Sequence, residues 1–577
     1  MDKAELKKLI DTAAGRIQAD LVIRGAKIVD VYGGGFLEGD IAISDGIIAG
    51  VGEYTGKNVV DATGLYASPG FIDSHIHIES SYVSPEEISR LLAPHGTTTI
   101  IADPHEIVNV CGAAGLEYML DAANGTALDI KFMLPSCVPA TVYENSGAVI
   151  GAETISRLIS DDRILGLGEF MDYPGVINAA GEDLDKLLAA YGAGKPIDGH
   201  SPAVSGKSLN AYAAALIRTD HECATKDEML DRISRGMYVL LRQGSACHNL
   251  RILLKGLTIT NSRRCLLCSD DRQPKTILEL GHLDDHLRIC SQEGIDAVTA
   301  IRMASLNAAE CYGLRDRGAI APGLRADIAL FEGLGEFNVK QVFIKGAEVA
   351  RGGVYLPEIQ RRSYSAVAGS FHVKDFSVKK LEMILKSDKV NVIGLNPGGV
   401  VTSKLIGTVA RDGQGRFIAG GDPDIVKIAV VERHNNTGNV ALGLVKGYGI
   451  KKGAIAVSIA HDSHNIIAVG VNDTDMAIAV LELVGQGGGV VLVLDGSVAE
   501  RLPLPIGGLM SDMSGEWVDE KLTKLHEAAH TVLGVSRDVE PIMTLCFVSL
   551  PVIPEIRLTD MGLFDVAKFG FIDIEAG

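Results

Sequence analysis

Alternation of apolar and polar positions divides the chain into stretches of different character. Over residues 20–60 short apolar runs, LVIRGAKIVDV and DIAISDGIIAGVG, are punctuated by glycine at Gly25, Gly33 to Gly35 and Gly46. That pattern predicts a small sheet of antiparallel strands joined by tight turns. A similar pattern returns at residues 326–354, so one β-sandwich is expected to be completed by both flanks of an inserted unit. The insert alternates strand-like runs with helical ones. The strand candidates are GFIDSHIHI, GTTTIIADPH, DIKFMLPSCV, ILGLGEFM, KPIDGHSP, ALIRTDHEC, MYVLLRQGS and RCLLCSDD. Between them lie helical patterns such as SPEEISRLLAPH, EDLDKLLAAYGA, TKDEMLDRISR and HLDDHLRICSQEG. Eight such alternations are what a (β/α)8 barrel requires.

Past Ser370 the character changes again. Runs such as VKIAVVERH, KGAIAVSIAHDSHNIIAVGV and MTLCFVSLPVIPEIRLTDMGLFDV, rich in strand-forming residues, mix with two helical patterns, DTDMAIAVLELVGQ and VDEKLTKLHEAAHTVLG. The expected architecture is α/β: an N-terminal helix and the first part of a β-sandwich (1–68), a (β/α)8 barrel (69–318), the second part of the sandwich (319–365) and a C-terminal α/β domain (366–577).

Charge and composition narrow the partners. The formal net charge of -19 argues against nucleic acid or an anionic membrane surface, because both are polyanions. The first twenty residues read as an amphipathic helix with charges throughout, not a signal peptide, and no apolar stretch is long enough to span a bilayer. Nine cysteines without regular spacing fit reduced thiols in a cytoplasmic protein, and Cys265 and Cys268 read as buried strand residues.

Candidate chemistry centres on SPGFIDSHIHIESS, residues 68–81. In an extended strand His75 and His77 face one side while Ile76 and Ile78 pack behind, so two imidazoles converge as half of a metal site. The other barrel strands carry their polar residues at their C-terminal ends. These are Asp103, His105 and Glu106; Glu169; His200; Asp220, His221 and Glu222; Arg242, Gln243 and Ser245; and Ser269, Asp270 and Asp271. A barrel assembles its catalytic groups at that mouth.

With these features in place, the chain resembles the amidohydrolase superfamily and, within it, the bacterial and archaeal adenine deaminases. The resemblance rests on PGFIDSHIHIESS (69–81), HGTTTIIADPHEIVNVCG (95–112), LGLGEFM (165–171), DGHSP (198–202), TDHE (219–222), RQGS (242–245), SDDR (269–272), APGLRADI (321–328) and HDSHN (461–465). It implies a binuclear site in which His75, His77 and Asp270 hold one divalent ion, His200 and His221 the other, and Glu169 bridges them. Asp271 is the alternative to Asp270. The family's preference looks like iron or manganese, with zinc compatible with the same donors. The implied reaction is hydrolysis of adenine to hypoxanthine and ammonia, a purine salvage step, by a metal-activated hydroxide attacking C6, with Asp270 shuttling the proton. Glu222, Asp103 and His105 are placed to protonate a ring nitrogen or to orient ligands. Arg242 and Gln243 are candidates for contact with the purine or, equally, for salt-bridge or loop partners at the barrel mouth. HDSHN suits a further metal site, a cover over the mouth or a cluster joining two domains. Competing readings are an amidohydrolase acting on another nucleobase or cyclic amide, and an inactive scaffold. A homo-oligomer, by default a dimer, is expected.

Overall fold

A computed structural model of the chain describes residues 2–396, 401–419 and 424–576. Eight strands make the barrel: β1 (Phe71–Ile76), β2 (Thr97–Ala102), β3 (Asp129–Leu134), β4 (Ile164–Phe170), β5 (Ile197–Gly199), β6 (Thr219–Asp220), β7 (Tyr238–Arg242) and β8 (Cys265–Cys268). They pair in parallel as two arcs, β1 to β5 and β6 to β8. Two seams close the ring. The Arg218 N–H donates to the Ile197 carbonyl at 3.2 Å, and the Asp270 N–H donates to the His75 carbonyl at 2.9 Å. The second seam sets the end of β8 directly beside the end of β1.

Every residue of β1 and of β2 is buried, as expected for parallel strands covered by helices on one face and filled by side chains on the other. KPIDGHSP is strand only at Ile197–Gly199. ALIRTDHEC is strand only at Thr219–Asp220, because Ala213 and Ala214 finish the helix Gly206–Ala214 and Leu216 takes a left-handed conformation (φ 69°).

Before and after the barrel in sequence, Tyr66–Pro69 pairs antiparallel with Ile328–Glu332. They lie in a seven-stranded sheet that packs Ile28, Ile328 and Phe343 against Ile23, Ile41 and Ile43 of a four-stranded sheet. Toward the C-terminus an eight-stranded, mostly antiparallel sheet carries the helix Asp473–Gly485 on one face, with Met476, Val480 and Leu483 against Ala429, Val431 and Ala468. One apolar cluster runs from Ile107 and Val108 of the barrel into Leu509 and Met510, seating the C-terminal sheet over the barrel mouth. One run departs from the strand-like reading: Met543–Val548 in MTLCFVSLP is helical. Glu540 accepts from the Ile542 N–H at 2.9 Å and from the Met543 N–H, so a first turn starts there, and Met, Leu and Phe serve a buried helix as well as a strand. Cys265 and Cys268 are buried in β8 with free thiols. Among the described residues no helix is long and apolar enough to cross a membrane.

Candidate active site

His75 lies within β1 and His77 one residue beyond it, and their two-residue spacing puts both rings on the barrel axis with Nε2 atoms 3.1 Å apart. His77 Nδ1 donates to the Asp103 carbonyl at 2.9 Å, which turns its Nε2 inward. Asp270 follows β8 in a left-handed conformation (φ 60°) and aims Oδ1 at the pair, 3.3 Å from His75 Nε2 and 3.2 Å from His77 Nε2. Its neighbour Asp271 is engaged elsewhere, accepting from Ser80 Oγ at 2.5 Å. Of the two aspartates, Asp270 is the one that joins the histidines.

Glu169, at the end of β4, stands between two groups of nitrogen atoms. Its Oε1 lies 3.3 Å from His77 Nε2, and its Oε2 lies 2.8 Å from His200 Nδ1 and 3.2 Å from His221 Nε2. All six side chains expected to meet, His75, His77, Glu169, His200, His221 and Asp270, do gather at one end of the barrel.

The electrostatics of the cluster favour positive charge. Burial alone would lower the affinity of His77 and His221 for a proton, yet Asp270 and Glu169 lift His77 well above its ordinary value and Glu169 lifts His221 to about 9. Burial would raise Glu169 and Asp270. His200 and His221 hold Glu169 well below the usual carboxylate range, and Arg242, with His75 and His77, does the same for Asp270. Arg242 donates from Nη1 to Asp270 Oδ2 at 2.8 Å and also pairs with Glu222, whose Oε1 lies 3.4 Å from His221 Nε2.

The donor set fits divalent metal ions. Two donors each about 2.1 Å from one ion stand about 3 Å apart at a right angle, the spacing found among His75 Nε2, His77 Nε2 and Asp270 Oδ1. His75, His77 and Asp270; His75, Glu169 and His221; His77, His105 and Glu169; and His200, His221 and Glu222 each bring three such atoms close enough to share an ion. The one thiol at the cavity, Cys247, is pushed up to about 12 by burial and stays a neutral group.

The remaining candidates fall on different sides of the cavity wall. His105 reaches the cluster, with Nδ1 3.4 Å from Glu169 Oε1. Asp103 does not line the cavity; its Oδ2 accepts the Glu169 N–H at 2.9 Å and so braces the bridging residue from behind. Gln243 takes the loop-partner alternative and not the purine-contact one. Strand alternation turns Arg242 inward and Gln243 away, where its amide pairs with His248 Nδ1 at 3.0 Å, outside the cavity lining.

HDSHN forms a loop between the strands Ala454–Val457 and Ile466–Gly470, with His461 and Asp462 facing the cavity. It is also tied to its surroundings: Asn465 Nδ2 donates to the Asn145 carbonyl at 2.8 Å, and His434 Nε2 to the Ser463 carbonyl at 2.7 Å. It is therefore both a cover over the mouth and a joint between barrel and C-terminal sheet.

Sequence reasoning missed Asp73. Its Oδ1 accepts the N–H groups of His75 (3.2 Å) and Ser269 (3.1 Å), and its Oδ2 accepts from Ser269 Oγ (2.5 Å) and lies 2.9 Å from His282 Nε2. The signal was present, since Asp73, His75 and His77 share one face of the strand.

A parallel eight-stranded barrel whose mouth holds four histidines and two carboxylates in this order defines a hydrolase of the amidohydrolase class. The family model described as "Amidohydrolase family" matches residues 66–349, and that described as "Adenine deaminase C-terminal domain" matches residues 399–570. The chain is 65% identical over 576 residues to "Adenine deaminase 2" of Desulfotalea psychrophila and 53% identical over 576 residues to "Adenine deaminase" of Ligilactobacillus salivarius, in both cases across 100% of each chain. It is 46% identical to "Adenine deaminase" of Clostridium acetobutylicum across 98% of this chain and 100% of that one. The chain belongs to the adenine deaminase family.

Proposed function

We propose that the protein hydrolyses adenine to hypoxanthine and ammonia with two divalent ions at the barrel mouth. The observation that carries the reading is the division of the Glu169 carboxylate, with Oε1 toward His77 and Oε2 toward His200 and His221. His75, His77 and Asp270 would hold one ion and His200 and His221 the second, with Glu169 offering an oxygen to each. Bound there, such ions supply a water acidic enough to ionise at neutral pH. Imidazole and carboxylate donors without thiolate favour manganese or iron and tolerate zinc.

The chain's own residues provide the rest. Asp270, held at Oδ2 by Arg242, is the group to carry a proton to the departing 6-amino group. Glu222 lines the cavity beside His221 and is the group to protonate a ring nitrogen, with His105 on the opposite side. Asp103 positions Glu169 through its backbone and takes no part in proton transfer. Arg242 serves as the ion-pair partner of Asp270 and Glu222. Phe547, Leu550, Val552, Ile553 and Pro554, from the C-terminal region, roof a cavity of about 390 Å³.

The proposed setting is purine salvage in the cytoplasm, by a homodimer built from the four segments 1–68, 69–318, 319–365 and 366–577. Product analysis with the manganese-loaded protein and a panel of nucleobases and cyclic amides tests the reaction. Hypoxanthine and ammonia in equal amounts from adenine support it; turnover of another ring with none of adenine overturns it.

A further inference from the structure

The cavity has two unlike ends. Its floor is the histidine and carboxylate cluster, and its roof comes from the helix Met543–Val548 and the loop that follows it, as Phe547, Leu550, Val552, Ile553 and Pro554. None of these five side chains can coordinate an ion or move a proton, so the roof takes no direct part in the bond-making steps. Yet the roof is firmly held. Arg557, fully buried, donates from Nε to the Ile553 carbonyl (2.7 Å), from Nη1 to the Phe547 carbonyl (2.8 Å) and from Nη2 to the Pro554 carbonyl (2.7 Å). Three charge-assisted bonds to one short stretch fix its shape. His461 adds a stacked contact to Phe547, with ring centroids 4.6 Å apart and planes 20° apart. A stretch braced in this way is a wall.

We infer that residues 547–554, braced by Arg557, form a specificity wall that admits a free 6-aminopurine and excludes purines substituted at N9, nucleosides above all. The inference rests on the reading of the site as an adenine-hydrolysing one. With C6 at the metal cluster, the bond from N9 leaves the ring system on the side away from the 6-amino group, toward the roof. A ribose there must displace apolar side chains whose backbone is pinned.

Ammonia release from adenine, 9-methyladenine and adenosine, measured on the manganese-loaded protein, tests the wall. The expected kcat/KM for adenine exceeds both others by about 10²-fold or more, and 9-methyladenine at millimolar concentration leaves adenine turnover uninhibited. In the double variant Val552→Ala, Ile553→Ala, at two half-buried positions, the ratio of kcat/KM for 9-methyladenine to that for adenine rises by roughly tenfold or more. Three results overturn the inference: adenosine consumed as readily as adenine by the unmodified protein, inhibition by 9-methyladenine near the KM of adenine, or an unchanged ratio in a double variant that still consumes adenine. Failure of the unmodified protein on adenine itself strikes the functional reading, and the wall falls with it.

Discussion

Glu169 Oε2 stands 2.8 Å from His200 Nδ1 while the other oxygen of the same carboxylate faces His77 at 3.3 Å, so one side chain from β4 spans the two halves of the cluster. Glu169→Gln keeps the shape and replaces one oxygen by an amide nitrogen that cannot ligate. Turnover is expected to fall by at least about 10²–10³-fold, with bound metal reduced and the circular dichroism spectrum retained. Steady-state kinetics with metal analysis on the same preparation checks this.

Asp270 and Asp271 are adjacent in sequence and opposite in placement. Asp270→Asn is expected to lower kcat by about 10²–10⁴-fold, the usual range for losing a proton-transferring group. Asp271→Asn, which weakens a bond to Ser80 Oγ, should cost far less. Comparable losses in the two variants would contradict the assignment of Asp270.

Asp73 holds the β1 and β8 ends in register by accepting from His75 and Ser269 together. Asp73→Asn is expected to weaken metal binding by about 10–100-fold, the range seen when groups behind a ligand are removed. Metal titration followed by tryptophan-independent calorimetry reads the affinity directly, and chelator-stripped protein should keep its fold.

Acid stability carries a separate signature. Asp284 is buried, and despite that burial His95 Nδ1 (3.2 Å) and Arg288 Nη1 (3.1 Å) hold its carboxyl down at about 2, against 3.8 for the free group. A depressed carboxyl contributes stability that is fully present above about pH 4 and is lost as the pH falls toward 2. The difference corresponds to about 2 kcal/mol. Urea unfolding between pH 5 and 2 should show a steeper acid decline in the unmodified protein than in Asp284→Asn.

Much of the barrel was legible because its signals are local. Strand and helix periods can be read within each run, and two residues between His75 and His77 suffice to put both rings on one face. The same arithmetic, continued one step back, points to Asp73, and continued past Arg242 it turns Gln243 outward. What the sequence could not display was the roof. The run MTLCFVSLPVIP has neither a two-residue nor a 3.6-residue period, and its place over the cavity depends on Arg557 and on docking between distant parts of the chain. Choosing Asp270 over Asp271 likewise needed the left-handed turn after β8, which residue types alone do not announce.

The central claim is that six side chains from five barrel strands form one binuclear site bridged by Glu169. Equilibrium dialysis against manganese, read by mass spectrometry of the metal, tests it most directly. The account predicts two ions per chain in the unmodified protein and one in the His200→Ala, His221→Ala variant. A single ion, or none, in the unmodified protein at saturating manganese would contradict it.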